Sequence, residues 1–294
     1  MEELLGIPVQ ALFGQILLGL INGSFYAILS LGLAIIFGLL NIINFTHGAQ
    51  YMLGAFLAWM GLSYLGVGYW TALLIAPLLV GLTGIAIERL LLARLANVDH
   101  LYGFLLTYGI ALVIQGLFRN YYGASALPYP VPAELRGGYD LGFMFLPTYR
   151  GWVVAISLAI CLATWLLIEK TRLGSHLRAA TEKPGLTEAF GINVPLLVTM
   201  TYGAGAALAA FAGVLAAPIY SVNPQMGADL IIVVFGVVVI GGMGSILGAI
   251  VTGFGLGLIE GLTKVFYAPA SDIVIFVIMI VILLVRPAGL FGKA

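Results

Sequence analysis

The sequence predicts an all-α fold, a polytopic transmembrane helical bundle of about 8–10 spans, some of them broken or short. Three observations carry this. Of the 294 residues, 62% are hydrophobic and only 8% charged, whereas soluble domains carry about 25% charged residues. The apolar runs are continuous, as in 72–86, 151–168 and 273–285, which excludes the alternating strands of an outer-membrane barrel. A helix crosses the ~30 Å hydrocarbon core with about 20 apolar residues, so eight to ten crossings leave roughly 100 residues for connections.

In chain order, hydrophobic runs fall near 11–40, 49–62, 71–88, 104–118, 151–168, 196–217, 230–241, 246–264 and 273–285. The first is ~45 Å long at 1.5 Å per residue, too long for one upright span. Asn22-Gly23-Ser24 is its expected break, giving nine or ten spans. Between Gly38 and Gln50 the uncharged polar residues Asn41, Asn44, Thr46, His47 and Gln50 interrupt an apolar stretch. They line a cavity or form an aqueous turn; the residues alone leave both open.

Two segments read as non-membranous. Residues 119–150 hold Pro128, Pro130, Pro132 and Pro147 with Tyr121, Tyr122, Tyr129, Tyr139 and Tyr149, a turn-rich loop with interfacial aromatics, expected to be periplasmic. Residues 169–195 hold Lys170, Arg172, Arg178 and Lys183 with Glu169, Glu182 and Glu188, and are expected to be cytoplasmic. That orientation also puts 89–103 and the tail 286–293 inside, with eight Lys/Arg inside and four outside, as the positive-inside rule requires.

Glycine is abundant, at 39 residues. Gly205, Ala209, Gly213 and Ala217 recur every four residues, as do Ser245, Ala249, Gly253, Gly257 and Gly261. Each series lays a smooth groove along one helix face, where backbones can approach closely. In 235–245, Gly241, Gly242 and Gly244 break a late span and are candidate gating or packing positions.

Much chemistry is excluded. Twelve Lys+Arg balance twelve Asp+Glu, so no global field draws in nucleic acid. Cys161 is the only cysteine; it cannot form an intrachain disulfide or a metal site alone and reads as a small core residue. The acidic Met1-Glu2-Glu3 start lacks the basic region of a signal peptide, so insertion is expected through an uncleaved first span. There is no phosphate-cradling G-x-x-x-x-G-K-[ST] loop, no H-E-x-x-H and no G-x-S-x-G, so neither catalytic residues nor metal ligands are expected. Glu88, Glu169, Asp229 and Asp272 sit at predicted span ends. Glu260 and Lys264, four apart, have the spacing of a structural ion pair.

The string 170–181, followed by Glu188-Ala189-Phe190-Gly191-Ile192-Asn193, resembles the cytoplasmic loop of the LivH-type permeases of ABC importers for branched-chain amino acids. The similarity continues through 31–48, 206–215, Gly241-Gly242-Met243-Gly244-Ser245 and the closing Arg286-Pro287-Ala288-Gly289-Leu290-Phe291-Gly292, covering nearly the whole chain in order. The resemblance implies one permease domain, 1–294, in the cell inner membrane. It also implies a second related permease as heterodimer partner, two ATPase subunits and a periplasmic substrate-binding protein, with no cofactor of its own because the partners use the ATP.

On that reading Arg178, Glu182, Glu188, Ala189 and Gly191 belong to the ATPase-coupling loop. Pro184 and Gly185 can start a short helix that Gly191 ends, although 181–187 matches the family's loop only loosely. Asn22, Asn41, Asn44, His47 and Gln50 are the translocation-pathway candidates, since amide, hydroxyl and backbone groups can solvate a zwitterion without a fixed ion. The alternatives are a permease of the same family for urea or short amides, and a stand-alone passive channel or ion-coupled carrier.

Overall fold

The computed structural model describes residues 3–4, 7–40, 44–95, 98–142 and 144–292. Its helices are α1 (Val9–Leu40), α2 (Thr46–Leu65), α3 (Tyr69–Leu90), α4 (His100–Tyr122), α5 (Thr148–Lys170), α6 (Arg172–Glu182), α7 (Pro184–Ala189), α8 (Val194–Tyr220), α9 (Met226–Gly241), α10 (Ile246–Phe266) and α11 (Val274–Val285). Two small antiparallel hairpins accompany them, β1 (Glu3–Leu4) with β2 (Ile7–Pro8) and β3 (Gly138–Asp140) with β4 (Phe145–Pro147). Among the described residues six helices, α1, α3, α4, α5, α8 and α10, are long and apolar enough to cross a membrane; α9 and α11 are shorter apolar helices. The fold is the polytopic helical bundle that composition predicts.

The expected break at Asn22-Gly23-Ser24 does not occur. α1 runs unbroken for 32 residues, about 48 Å at 1.5 Å per residue. The Ser24 hydroxyl donates back to the Leu20 carbonyl (2.7 Å), and a Cβ on Gly23 would stand 3.0 Å from the Phe254 Cα of α10. What reads as a break is a helix–helix contact. α1 is accordingly the central helix: 83% of its most apolar stretch is buried inside the protein, against 11% for α4 at the periphery.

The small-residue series do what their spacing predicts. On α10, Gly253 packs on Ala27, Gly257 on Gly19 and Gly23, and Gly261 on Gln15 and Gly19, so the two helices cross backbone against backbone. On α8, Gly205 meets Gly32 and Ile36 of α1, while a Cβ on Gly213 would collide with the Tyr51 carbonyl of α2. Gly203 packs against Gly81 and Ile85 of α3. Thus α8 is wedged among α1, α2 and α3.

The two predicted loops lie at opposite ends. The segment 119–150 is more ordered than a turn-rich loop: α4 extends to Tyr122, α5 starts at Thr148, and between them lie a short 3-10 turn at Ala133–Leu135 and the β3–β4 hairpin. Leu127 and Val222 exchange backbone hydrogen bonds (2.7 and 2.8 Å), tying this segment to the end of α8. Tyr149 and Trp152 donate to the Tyr69 hydroxyl (3.2 and 3.3 Å), a polar-tipped aromatic cluster of the kind found at membrane interfaces. At the other end, the ends of α1 and α5, helix α6, residues 243–247 and the C-terminal Phe291-Gly292 surround a cavity of about 640 Å³. Leu92, just after α3, packs with Ile36 there.

Candidate translocation site

The site starts from an unusual placement of α2. Its first turn lies not at the end of α1 but beside its middle, because His47 Nε2 hydrogen-bonds the Leu29 carbonyl (3.0 Å). Leu29 is about 16 Å along the axis from Leu40. A carbonyl only accepts, so this bond places the imidazole proton on Nε2 and leaves Nδ1 as the acceptor of the neutral ring. The start of α9 meets α2 there: Gly48 and Gly227 pack backbone against backbone, each too close for the other to carry a Cβ. Two helix N-termini therefore converge within the bundle.

A fully buried polar cluster occupies this junction. The Asn44 side-chain oxygen accepts from the Thr46 backbone N–H (3.1 Å) and from the Tyr202 hydroxyl of α8 (3.1 Å), and the Thr46 hydroxyl also donates to it. The Thr46 and Tyr202 hydroxyl oxygens are 2.8 Å apart. Asn44, Thr46, His47 and Gln50 are at most 1% exposed. The Gln50 side chain interacts with His47 and with Tyr202, while Asn44 Nδ2 has no protein partner. An unsatisfied buried polar group costs about 1–3 kcal/mol, so Asn44 Nδ2 marks hydrogen-bonding capacity that the fold itself leaves unused.

Asn22 lies apart from that cluster. Its Nδ2 donates to Glu260 Oε1 (3.1 Å), and its Oδ1 accepts from the Tyr220 hydroxyl (2.5 Å). Glu260 is itself buried, accepting from Tyr26 (2.7 Å) and pairing with Lys264 (2.6 Å), the ion pair that the spacing predicts. Asn22 borders a cavity of about 260 Å³ that Phe25, Tyr51, Tyr220, Met226 and Asp229 also line. Tyr51 follows Gln50 directly, so the cavity and the cluster adjoin through the first turns of α2. Asn41 lies outside the described residues.

The residues that sequence reading missed are tyrosines and carboxylates from distant elements. Tyr202 stands in a polar trio, Thr199, Thr201 and Tyr202, within an otherwise Gly/Ala-rich helix, which was its only signal. Glu88, expected at a span end, is in the last turn of α3 yet buried, accepting from the Thr199 hydroxyl (2.5 Å).

The segment 169–195 folds as α6 and α7. The chain reverses after Lys170 at a contact so tight that a Cβ on Gly174 would overlap the Ile168 carbonyl. Arg178 pairs with Glu169 (3.4 Å) with both side chains half-exposed, a contact worth about 0–1 kcal/mol. Pro184 occupies the first turn of α7 and Gly191, at φ +84°, ends it, its N–H bonded to the Glu188 carbonyl (2.8 Å). Glu182, Leu186, Glu188, Ala189 and Phe190 are all exposed there.

Gly241, Gly242 and Gly244 form the α9–α10 turn at this end. Gly242 adopts φ +101°, a left-handed conformation costly to a residue with a Cβ. Ser245 then caps α10 by accepting from the Gly248 N–H (3.1 Å). The C-terminal segment seats on the turn: Leu290 and Phe291 donate backbone N–H groups to the Ile240 and Gly241 carbonyls (2.8 and 3.1 Å).

Residues 15–283 match the family model described as the permease component of the branched-chain amino acid transport system. The chain belongs to this family. The LivH high-affinity branched-chain amino acid permease of Escherichia coli K12 is 31% identical, the alignment covering 95% of each chain. The BraD permease of Pseudomonas aeruginosa is 30% identical, again over 95% of each. The E. coli ribose import permease RbsC is 26% identical over 60% of this chain and 59% of its own. No solved structure matches. This protein is thus a multi-pass membrane permease, and its buried polar cluster and exposed short helix belong to a component of a transport system.

Proposed function

We propose that this chain is the transmembrane permease subunit of an ATP-driven importer. It moves branched-chain or related amino acids across the inner, cytoplasmic membrane after delivery by a periplasmic binding protein. It works with a second related permease, as a heterodimer, and with two ATPase subunits that hydrolyse the ATP. The observation that carries this is the end-to-end match to LivH and BraD, covering 95% of each chain. The geometry supports the same reading: α7 offers Glu188, Ala189 and the 79% exposed Phe190 to a docking partner. The uncharged Asn44, His47 and Gln50 suit a transient pathway, in which tight binding would slow exit. That lining also suits a neutral solute, so urea or a short amide is the second reading.

The test is reconstitution. The purified chain alone should neither hydrolyse ATP nor take up leucine, and adding the partner permease, the ATPases and the binding protein should restore both. Glu188→Arg with Gly191→Val should abolish ATPase co-purification while the permease still folds in membranes. Intact co-purification would count against α7 as the docking element, and uptake by vesicles holding only this chain would overturn the importer reading.

A further inference from the structure

Asp229 reads in sequence as a residue at a span end, and the structure keeps it at the start of a helix but sets that start against neighbouring helices. It stands in the first turn of α9, two residues after Gly227, which packs on Gly48 at the start of α2, itself beside the middle of α1. The side chain is exposed and lines both the 260 Å³ cavity and a neighbouring cavity of about 550 Å³. Among the described residues no cationic side chain forms an ion pair with it. An unpaired carboxylate facing acyl chains is costly, and the Asp229 side chain borders the two cavities instead.

The smaller cavity has the remaining features of a site for one small zwitterion. Its 260 Å³ exceeds several waters at ~30 Å³ each. Phe25, Met226 and Leu230 supply apolar wall. Asn223, also on the lining, uses its side-chain oxygen to accept from the Gln225 N–H (2.9 Å), which leaves its amino group to donate.

We propose that Asp229 receives the α-ammonium group of an aliphatic amino acid in this cavity, with the side chain against Phe25, Met226 and Leu230 and the carboxylate toward the Asn223 amide. This deepens the functional reading above and rests on it. A single carboxylate at a water-facing cavity gives a weak, reversible stop, and it discriminates against a neutral amide of similar size.

The experiment uses the complete transporter in proteoliposomes with its binding protein, scoring radiolabelled leucine taken up per ATP hydrolysed. Asp229→Asn should lower that ratio at least about tenfold, the loss of one charge-assisted hydrogen bond, while complex yield and thermal midpoint hold. Asp229→Glu should recover part of the ratio, and Met226→Trp, which fills the cavity, should lower it. Wild-type coupling in Asp229→Asn would overturn the assignment, as would a loss that merely tracks falling yield and thermal midpoint. Failure of the wild-type complex to take up any amino acid would sink the functional reading together with this one, which separates the two failures.

Discussion

Glu260 shows how much one buried side chain can hold together in lipid. Its carboxylate accepts from Asn22, Tyr26 and Lys264 at once, binding α1 to α10 with charge-assisted hydrogen bonds at the end of a glycine-lined contact. Removing Glu260 leaves Asn22 and Tyr26 without their acceptor, at about 1–3 kcal/mol for each buried group left unpaired, and leaves Lys264, 34% exposed, without its counter-ion. Glu260→Ala should therefore lower the thermal midpoint of the purified permease substantially, and Glu260→Gln, which keeps an acceptor for Tyr26, should lower it less. The double variant Glu260→Ala/Lys264→Ala should be more stable than Glu260→Ala alone, because no stranded ammonium remains. A double variant no better than the single would show that Lys264 is solvated rather than paired. The pairing itself is invisible in sequence beyond the i,i+4 spacing: Asn22 lies 238 positions from Glu260.

At the scale of elements, the bundle is organised by where side chains are absent. Helices in lipid gain nothing by excluding water from one another, so they associate where small residues let backbones touch. α10 does this on α1, and α8 does it on α1, α2 and α3. Gly257→Leu and Gly213→Leu should each destabilise by ~3 kcal/mol or more, since overpacking against immovable backbone falls at or beyond the upper end of the usual range. Gly116→Leu, with nothing within 4 Å of its Cβ position on peripheral α4, should leave the thermal midpoint near wild type. Equal sensitivity at all three would mean that helix propensity, not contact, sets the glycine requirement. These ridges were legible as four-residue repeats, but which helix each one meets was not.

At the scale of the whole molecule, the connecting segments sort into two ends. The ends of α1 and α5, α6, the α9–α10 turn and the C-terminal residues gather at one, and 119–150 with the end of α8 at the other. This is the alternation that the Lys/Arg bias implies, and it predicts sidedness. In a variant with Cys161→Ala, a cysteine placed by Glu188→Cys should react with a membrane-impermeant maleimide only from the cytoplasmic side. One placed by Tyr139→Cys, at a 64% exposed position in β3, should react only from the periplasmic side. The reverse pattern would invert the orientation and remove α7 from reach of a cytoplasmic ATPase.

Composition and run length by themselves determined that this chain is a bundle of membrane helices. The same local pattern located the small-residue ridges and the short helix begun by Pro184 and ended by Gly191. These are local properties, and local sequence carries them. Only the tertiary structure decided that Asn22-Gly23-Ser24 is a contact rather than a break. In hydrocarbon no water competes for the backbone, so a polar or small residue need not interrupt a helix. It also decided that Asn44 meets Tyr202 across 158 positions, and that Asp229 borders two cavities, because α2 begins beside the middle of α1 and α9 begins against the first turn of α2.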